Sequence, residues 1–153
     1  MVKSTVEPGF GRVRNTSAQE PSTSLSPDFS LALVVGKSQI NRVVVSKIVE
    51  RSGLKPIGET PATAVGALPA LFPAIVIMDG GADNKDCDGL IPAILALRRI
   101  SEKDLPAVIL LSARSGSPET LDLSGMIDAV VAKPFTTDHL QPVVERLLER
   151  ARK

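Results

Sequence analysis

Five short strand-like segments, three of them continuously apolar, alternating with segments of helical period predict an α/β domain: a five-stranded parallel sheet, doubly wound, with helices on both faces. Three observations carry this. The runs Leu31 to Val35, Ala74 to Met78 and Ala107 to Leu111 are continuously apolar, as in strands buried on both sides. The segments between them place apolar residues at helical spacing. The β-then-α order recurs five times, without an internal sequence repeat.

The first strand, Leu31 to Val35, precedes a helix over Gln39 to Ser52, where Ile40, Val43, Val44 and Ile48 share helical spacing. Its β-branched residues weaken that helix slightly, and Gly53 is a stop signal. Lys55 to Glu59 is the second strand. Thr60-Pro61 reads as an N-cap with proline at the first helical position; that Ala-rich helix ends by Pro69 or Pro73. Ala74 to Met78 is the third strand, followed by a loop from Gly80 to Gly89. A third helix covers about Leu90 to Arg99, with Pro92 tolerated in its first turn. Ala107 to Leu111 is the fourth strand, a short helix is expected around Pro118 to Leu123, and Ile127 to Ala132 is the fifth strand. The last helix spans about Asp138 to Ala151, with Leu140, Val143, Val144, Leu147 and Leu148 as its apolar stripe. Pro142 should delay or kink its first turn.

Residues 1–29 break the pattern: they are rich in Ser, Thr, Pro, Gly and Gln, without periodicity. Such a segment buries too little to offset its ordering entropy, so a disordered tail is expected there and a domain over 30–153. The chain has 153 residues, the length of one ordinary domain, and 43% of them are hydrophobic. With four Phe and neither Tyr nor Trp, the core must be aliphatic, and a base-stacking surface for nucleic acid is not expected. A net charge of +1 provides no field for nucleic acid or an anionic membrane. One cysteine, Cys87, makes no internal disulfide and suits a reducing compartment. No apolar run approaches the about 20 residues that span a bilayer, and the polar N-terminus lacks a signal segment. A soluble, cytoplasmic protein is expected.

In an open parallel sheet, function gathers beyond the carboxyl ends of the strands. There the sequence puts Gly36, Lys37 and Ser38 after the first strand, Asp79 after the third, Ser112 and Ala113 after the fourth, and Lys133, Pro134 and Phe135 after the fifth. An acid, a hydroxyl and an ammonium would share one pocket. The carboxylate can act as a nucleophile, the hydroxyl can donate to a phosphoryl oxygen, and the ammonium can neutralise its charge.

The pieces Leu33-Val-Val35 leading to Ser38-Gln-Ile-Asn-Arg42, Ile77-Met-Asp79, Asp88-Gly89, Leu111-Ser-Ala113, Gly125-Met-Ile-Asp128 and Lys133-Pro-Phe135 occur in order. In these the chain resembles the receiver domain of bacterial two-component response regulators, with a CheY-like fold. The resemblance implies strand order 2-1-3-4-5, Asp79 as phosphoacceptor, Ser112 as the switch hydroxyl, and Lys133 as the lysine contacting acceptor and phosphoryl group. It also implies a peptide before Pro134 that is often cis.

Three departures make the member atypical. Gly36 and Lys37 stand where the family carries the acidic pair that holds Mg²⁺ with the acceptor. Mg²⁺ is bound through oxygen, usually with carboxylates, so Asp79 alone is a weak metal ligand and Mg²⁺-dependent phosphorylation should be weakened or absent. Lys37, at a position expected to face the acceptor, should partly fill the empty metal site and pair with Asp79, holding the site in one state or, alternatively, standing in for some of the metal's charge and allowing slow phosphorylation. The loop after Asp79 is longer than the family's, and its acids Asp83, Asp86 and Asp88 read as solvated. Val130, three residues before Lys133, replaces the rotating aromatic.

Other motifs read blandly. Gly36-Lys37-Ser38 is not a nucleotide-binding loop, because the glycine needed about five residues earlier is Leu31. His139 reads as solvated or capping, Cys87 as an exposed loop thiol, and Arg98 and Arg99 as covering a helix end. The basic end at Arg146, Arg150, Arg152 and Lys153 reads as a solvated face. With no output domain after the last helix, a stand-alone receiver is expected; a receiver piece of a longer protein is the alternative. The resemblance implies a histidine kinase or phosphotransfer protein and a downstream protein as partners, through the fourth helix, fifth strand and fifth helix. It allows a homodimer on the same face. The expected function is phosphorelay signalling, with no enzymatic activity beyond self-phosphorylation from phosphohistidine. A phosphorylation-independent interaction module is the alternative.

Overall fold

The computed structural model describes residues 26–101, 104–121 and 125–152. Its five strands are β1 (Asp28–Val35), β2 (Lys55–Glu59), β3 (Pro73–Asp79), β4 (Ala107–Ser112) and β5 (Ala129–Ala132). They form one parallel sheet in the order β2-β1-β3-β4-β5. The helices are α1 (Gln39–Arg51), α2 (Pro61–Leu71), α3 (Ile91–Ile100) and α4 (Thr137–Arg152), with a 3₁₀ turn at Asp88–Leu90.

The alternation along the strands sorts the core into two layers. Ala32, Val34, Ile75, Ile77, Ile109 and Leu111 face Val45, Ile48 and Val49 of α1 and Leu140, Val144 and Leu147 of α4. Leu33, Val35, Val76, Met78, Val108 and Leu110 face Ala64 and Leu68 of α2 and Ile94 and Leu97 of α3. β3 is buried at every residue, as its unbroken apolar run predicts.

The helix ends follow local chemistry. Ser38 caps α1 by accepting from the Asn41 amide, and Gly53 leaves the helix at φ 84°. Thr60 and Thr63 form a reciprocal capping box ahead of Pro61. α2 runs through Pro69 and closes on Phe72 in the left-handed region, with the ring buried. α4 also accommodates its proline: it starts at Thr137 and continues through Pro142 without the expected delay, because Leu140, Val144, Leu147, Leu148 and Ala151 are all buried.

Some boundaries move. β1 begins at Asp28, ahead of the expected domain start, and Phe29 packs against the core. β5 begins at Ala129 instead of Ile127. The short helix expected over Pro118 to Leu123 does not form at Pro118–Leu121, so the chain has four α-helices among the described residues where five were expected. Those residues make one turn, closed by the Leu121 amide on Ser117 O at 3.1 Å and by Ser117–Thr120 side-chain bonds. Local Ser and Thr bonding satisfies this backbone without the costly nucleus of a helix. Leu123 and the rest of 122–124 lie outside the described residues, as do most of the expected tail and Lys153. Among the described residues, no helix is long and apolar enough to cross a membrane.

Candidate functional site

The strand register places the polar residues at one level. Val35 pairs with Met78, Asp79 with Leu111, and Ser112 with Ala132. Gly36, Asp79, Ser112 and Lys133 therefore follow one another across the carboxyl edge. Main-chain bonds extend the pairing: the Gly80 amide donates to Leu111 O at 3.1 Å and the Lys133 amide to Ser112 O at 2.8 Å.

Asp79 is buried, at 7% exposure, yet every oxygen is partnered. Oδ1 accepts from Lys133 Nζ at 2.6 Å and from the Gly81 amide at 3.0 Å. Oδ2 accepts from Asn41 Nδ2 at 2.8 Å. Burial pushes the carboxyl up, but the Lys133 hydrogen bond, those from Asn41 and Gly81, and the Lys133 charge outweigh it, holding Asp79 below the ordinary carboxylate value. A carboxylate so held is charged at neutral pH. The Lys133-Pro134 peptide is cis, as the resemblance implies; Leu105-Pro106 is cis as well.

Asn41 was not singled out from sequence. It stands in the first turn of α1, oriented by the Ser38 cap, whose Oγ accepts the Asn41 amide at 3.1 Å. The capping serine thus aims an amide at the acid on another strand. The sequence signal was the cap itself, not the polar residue inside the turn.

Gly36 lies against Asp79: a Cβ there would stand 3.0 Å from Asp79 Cβ, tighter than ordinary contact. Lys37 does not pair with Asp79. Its ammonium is 3.5 Å from Asp86 Oδ1 and its side chain is 70% exposed. The reason is competition: Asp79 is already occupied, while the longer loop brings the half-exposed Asp86 within reach in a more hydrated setting. Asp83 and Asp88 are exposed, as expected of loop acids. Among the described residues, no three His, Cys, Asp or Glu side chains gather as a metal cluster.

Ser112 is fully buried, and its hydroxyl is engaged by the loop. Oγ accepts from Asn84 Nδ2 at 2.8 Å and from the Arg114 amide at 2.9 Å. Asn84 Oδ1 accepts from the Ala113 amide at 3.0 Å. Asn84 is itself buried, in the left-handed region at φ 63°, which asparagine tolerates. Only that tolerance could have marked it in the sequence; its partner across the sheet could not.

The structure places four other residues singled out from the sequence. Cys87 is buried, not exposed: its Sγ lies 3.4 Å from Asp79 O, and burial followed by nearby acids pushes the thiol up to about 12. The 3₁₀ turn at Asp88–Leu90 folds this loop inward. Val130 is half-buried against the α2–α3 layer. His139 is exposed. At the opposite end of the sheet Arg98 does more than cover a helix end: it donates to Pro106 O and, at 2.7 Å, to Asp128, which also receives Arg150 at 3.3 Å.

The chain matches no family model and no curated protein. It is similar in structure to the signal receiver domain of a LuxO repressor protein from Vibrio parahaemolyticus, at 20% identity and TM-score 0.64, over 80% of this chain and 92% of that one. The chemotaxis response regulator CheY4 of Vibrio cholerae is similar at 16% identity and TM-score 0.62, over 77% of this chain and 98% of that one. The pseudo-receiver domain of the CikA protein is similar at 19% identity and TM-score 0.56, over 77% and 96%. At these identities the likeness is one of fold: the chain has the CheY-like receiver fold.

Proposed function

We propose that this chain acts as an atypical receiver in two-component or phosphorelay signalling, with Asp79 at the phosphoacceptor position and Mg²⁺-dependent phosphorylation weakened or absent. The observation that carries it is the Asp79–Lys133 ion pair at 2.6 Å beside the buried Ser112, one strand end away. In the transfer, a carboxylate oxygen of Asp79 attacks phosphorus. The P–N bond of a phosphohistidine breaks, and the imidazole leaves with its electron pair and takes up a proton. Lys133 neutralises charge on the phosphoryl oxygens, and the Ser112 hydroxyl donates to one of them.

The donor set does not fit the family's divalent cation. Among the described residues no three His, Cys, Asp or Glu gather there, Asp79 Oδ2 is capped by Asn41, and Gly36 and Lys37 supply no acid. No step is therefore routed through a metal. The partner is a histidine kinase or phosphotransfer protein. Its donor must approach the carboxyl edge, which α1 borders through Asn41; there Ile40 (76% exposed), Val43 and Val44 present an apolar docking face.

Incubation with a phosphorylated kinase tests this. Slow label, not accelerated by Mg²⁺, is expected on the wild type and none on Asp79→Asn. Amide shifts near Asp79 at sub-millimolar Mg²⁺ would sink the lost metal site.

A second reading is a phosphorylation-independent interaction module. Saturation of both Asp79 oxygens and the half-buried Val130 favour it. Binding of the partner unchanged by Asp79→Asn, with no label on either protein, supports this reading.

A further inference from the structure

The loop after Asp79 carries a side chain into the place where an anion on Asp79 would find its donors. Two groups at the end of β4 can serve a bound oxyanion, the Ser112 hydroxyl and the Ala113 amide. One carboxamide touches both and takes the donor of the second. Asn84 Oδ1 accepts from the Ala113 amide at 3.0 Å and Asn84 Nδ2 donates to Ser112 Oγ at 2.8 Å. The amide oxygen receives the N–H that an anionic oxygen would receive. The amide nitrogen donates to Ser112 Oγ and so fills only acceptor capacity there; the donor that Asn84 blocks is the Ala113 amide.

The loop is shaped to hold this side chain. Asn84 is in the left-handed region at φ 63° and only 8% exposed. It seats over Gly80, where a Cβ would stand 2.8 Å from Asn84 Cα and 3.1 Å from its Oδ1. The Asp86 amide closes the loop on Gly80 O at 3.1 Å, and the Lys85 amide donates to Asp83 Oδ1 at 3.0 Å. Lys37 pins the same loop from outside through Asp86. A buried, doubly bonded amide is costly to remove without replacement, so an incoming anion must supply the bonds that Asn84 gives up.

We propose that Asn84 is a resident plug of the Ala113 amide at the strand end beside Asp79, and that its withdrawal, by freeing that donor, sets how readily Asp79 takes a phosphoryl group. This rests on the reading of Asp79 as phosphoacceptor.

The test uses the full chain and Asn84→Gly, which keeps the left-handed backbone without strain. Phosphoramidate is the donor: an Asp79 oxygen attacks phosphorus, the P–N bond breaks and ammonia leaves. Acyl phosphate is followed by intact mass, and the Ala113 amide by NMR during titration with inorganic phosphate. Asn84→Gly is expected to label about tenfold faster than wild type, the scale of one competing hydrogen bond, and its Ala113 amide to respond at lower phosphate. Equal labelling of both proteins with equal amide response overturns the plug and leaves the acceptor intact. An amide response confined to Asn84→Gly, with no acyl phosphate on either protein, supports the plug and overturns the acceptor reading. If Asn84→Gly does not unfold cooperatively, Asn84→Ser, which removes the carboxamide, decides: labelling faster than wild type is expected, and labelling at the wild-type rate overturns the plug.

Discussion

At the scale of single residues, the behaviour of Asp79 follows from its partners. Its carboxyl is held below the ordinary value, so the folded state binds its proton less tightly than the unfolded chain. The stabilisation is then complete above the ordinary carboxylate pKa and is lost as pH falls through the depressed value. Asn41→Ala removes one hydrogen bond to the carboxylate and should raise the Asp79 pKa towards the ordinary value, read by NMR titration of its side-chain carbon. An unchanged titration would mean that Asn41 does not hold the charge. Cys87 makes the opposite case. With its thiol buried and pushed up to about 12, it should resist alkylation in the native protein at mildly alkaline pH and react once denaturant unfolds the chain. Rapid labelling of the folded protein would show that the loop opens.

At the scale of elements, the caps decide where helices begin, and one of them also builds the site. The Thr60–Thr63 box satisfies first-turn amides of α2 and is exposed, so Thr60→Ala should cost about 1 kcal/mol without touching Asp79. The urea midpoint is expected to fall while the Asp79 titration stays in place. The Ser38 cap of α1 does the same local work but holds Asn41 towards the acid, so the two caps, alike in sequence, differ in consequence. The segment between β4 and β5 shows the limit of element reading: Pro118 and Leu121 suggest a helix, yet local Ser and Thr bonds close a single turn. The fourth helix of the expected partner face does not form at Pro118–Leu121, and the exposed Ile40, Val43 and Val44 of α1 are where the proposed function seats the partner.

At the scale of the molecule, two apolar layers clamp the sheet, and Asp128 ties the end opposite the site. It accepts from Arg98 of α3, from Arg150 of α4 and from the Val108 amide of β4 at 2.8 Å. Arg98 is only 14% exposed, so removing its partner leaves a poorly hydrated charge. Asp128→Ala should cost about 2 kcal/mol in chemical denaturation. Because the two ends of the strands are separated by the core, Asp79 signals should not move in that variant; movement would reveal coupling along the sheet.

The fold class was legible in the sequence because burial on both faces writes itself as continuous apolar runs and the βα alternation implies a parallel sheet; the strand order came from the resemblance and not from the alternation. The strand-end positions of Asp79, Ser112 and Lys133 were legible for the same reason: each directly ends or follows such a run. What they bond to was not. Asn41, Asn84 and Asp86 reach the site from a helix turn and a loop, and hydrogen bonds across 38 and 28 residues of chain leave no periodic trace. Lys37 faces two acids at similar sequence distance, and only packing decides that Asp79 is already filled and Asp86 is not. Periodicity records which face of an element is dry; which polar groups meet beyond its end is decided by the folded loop.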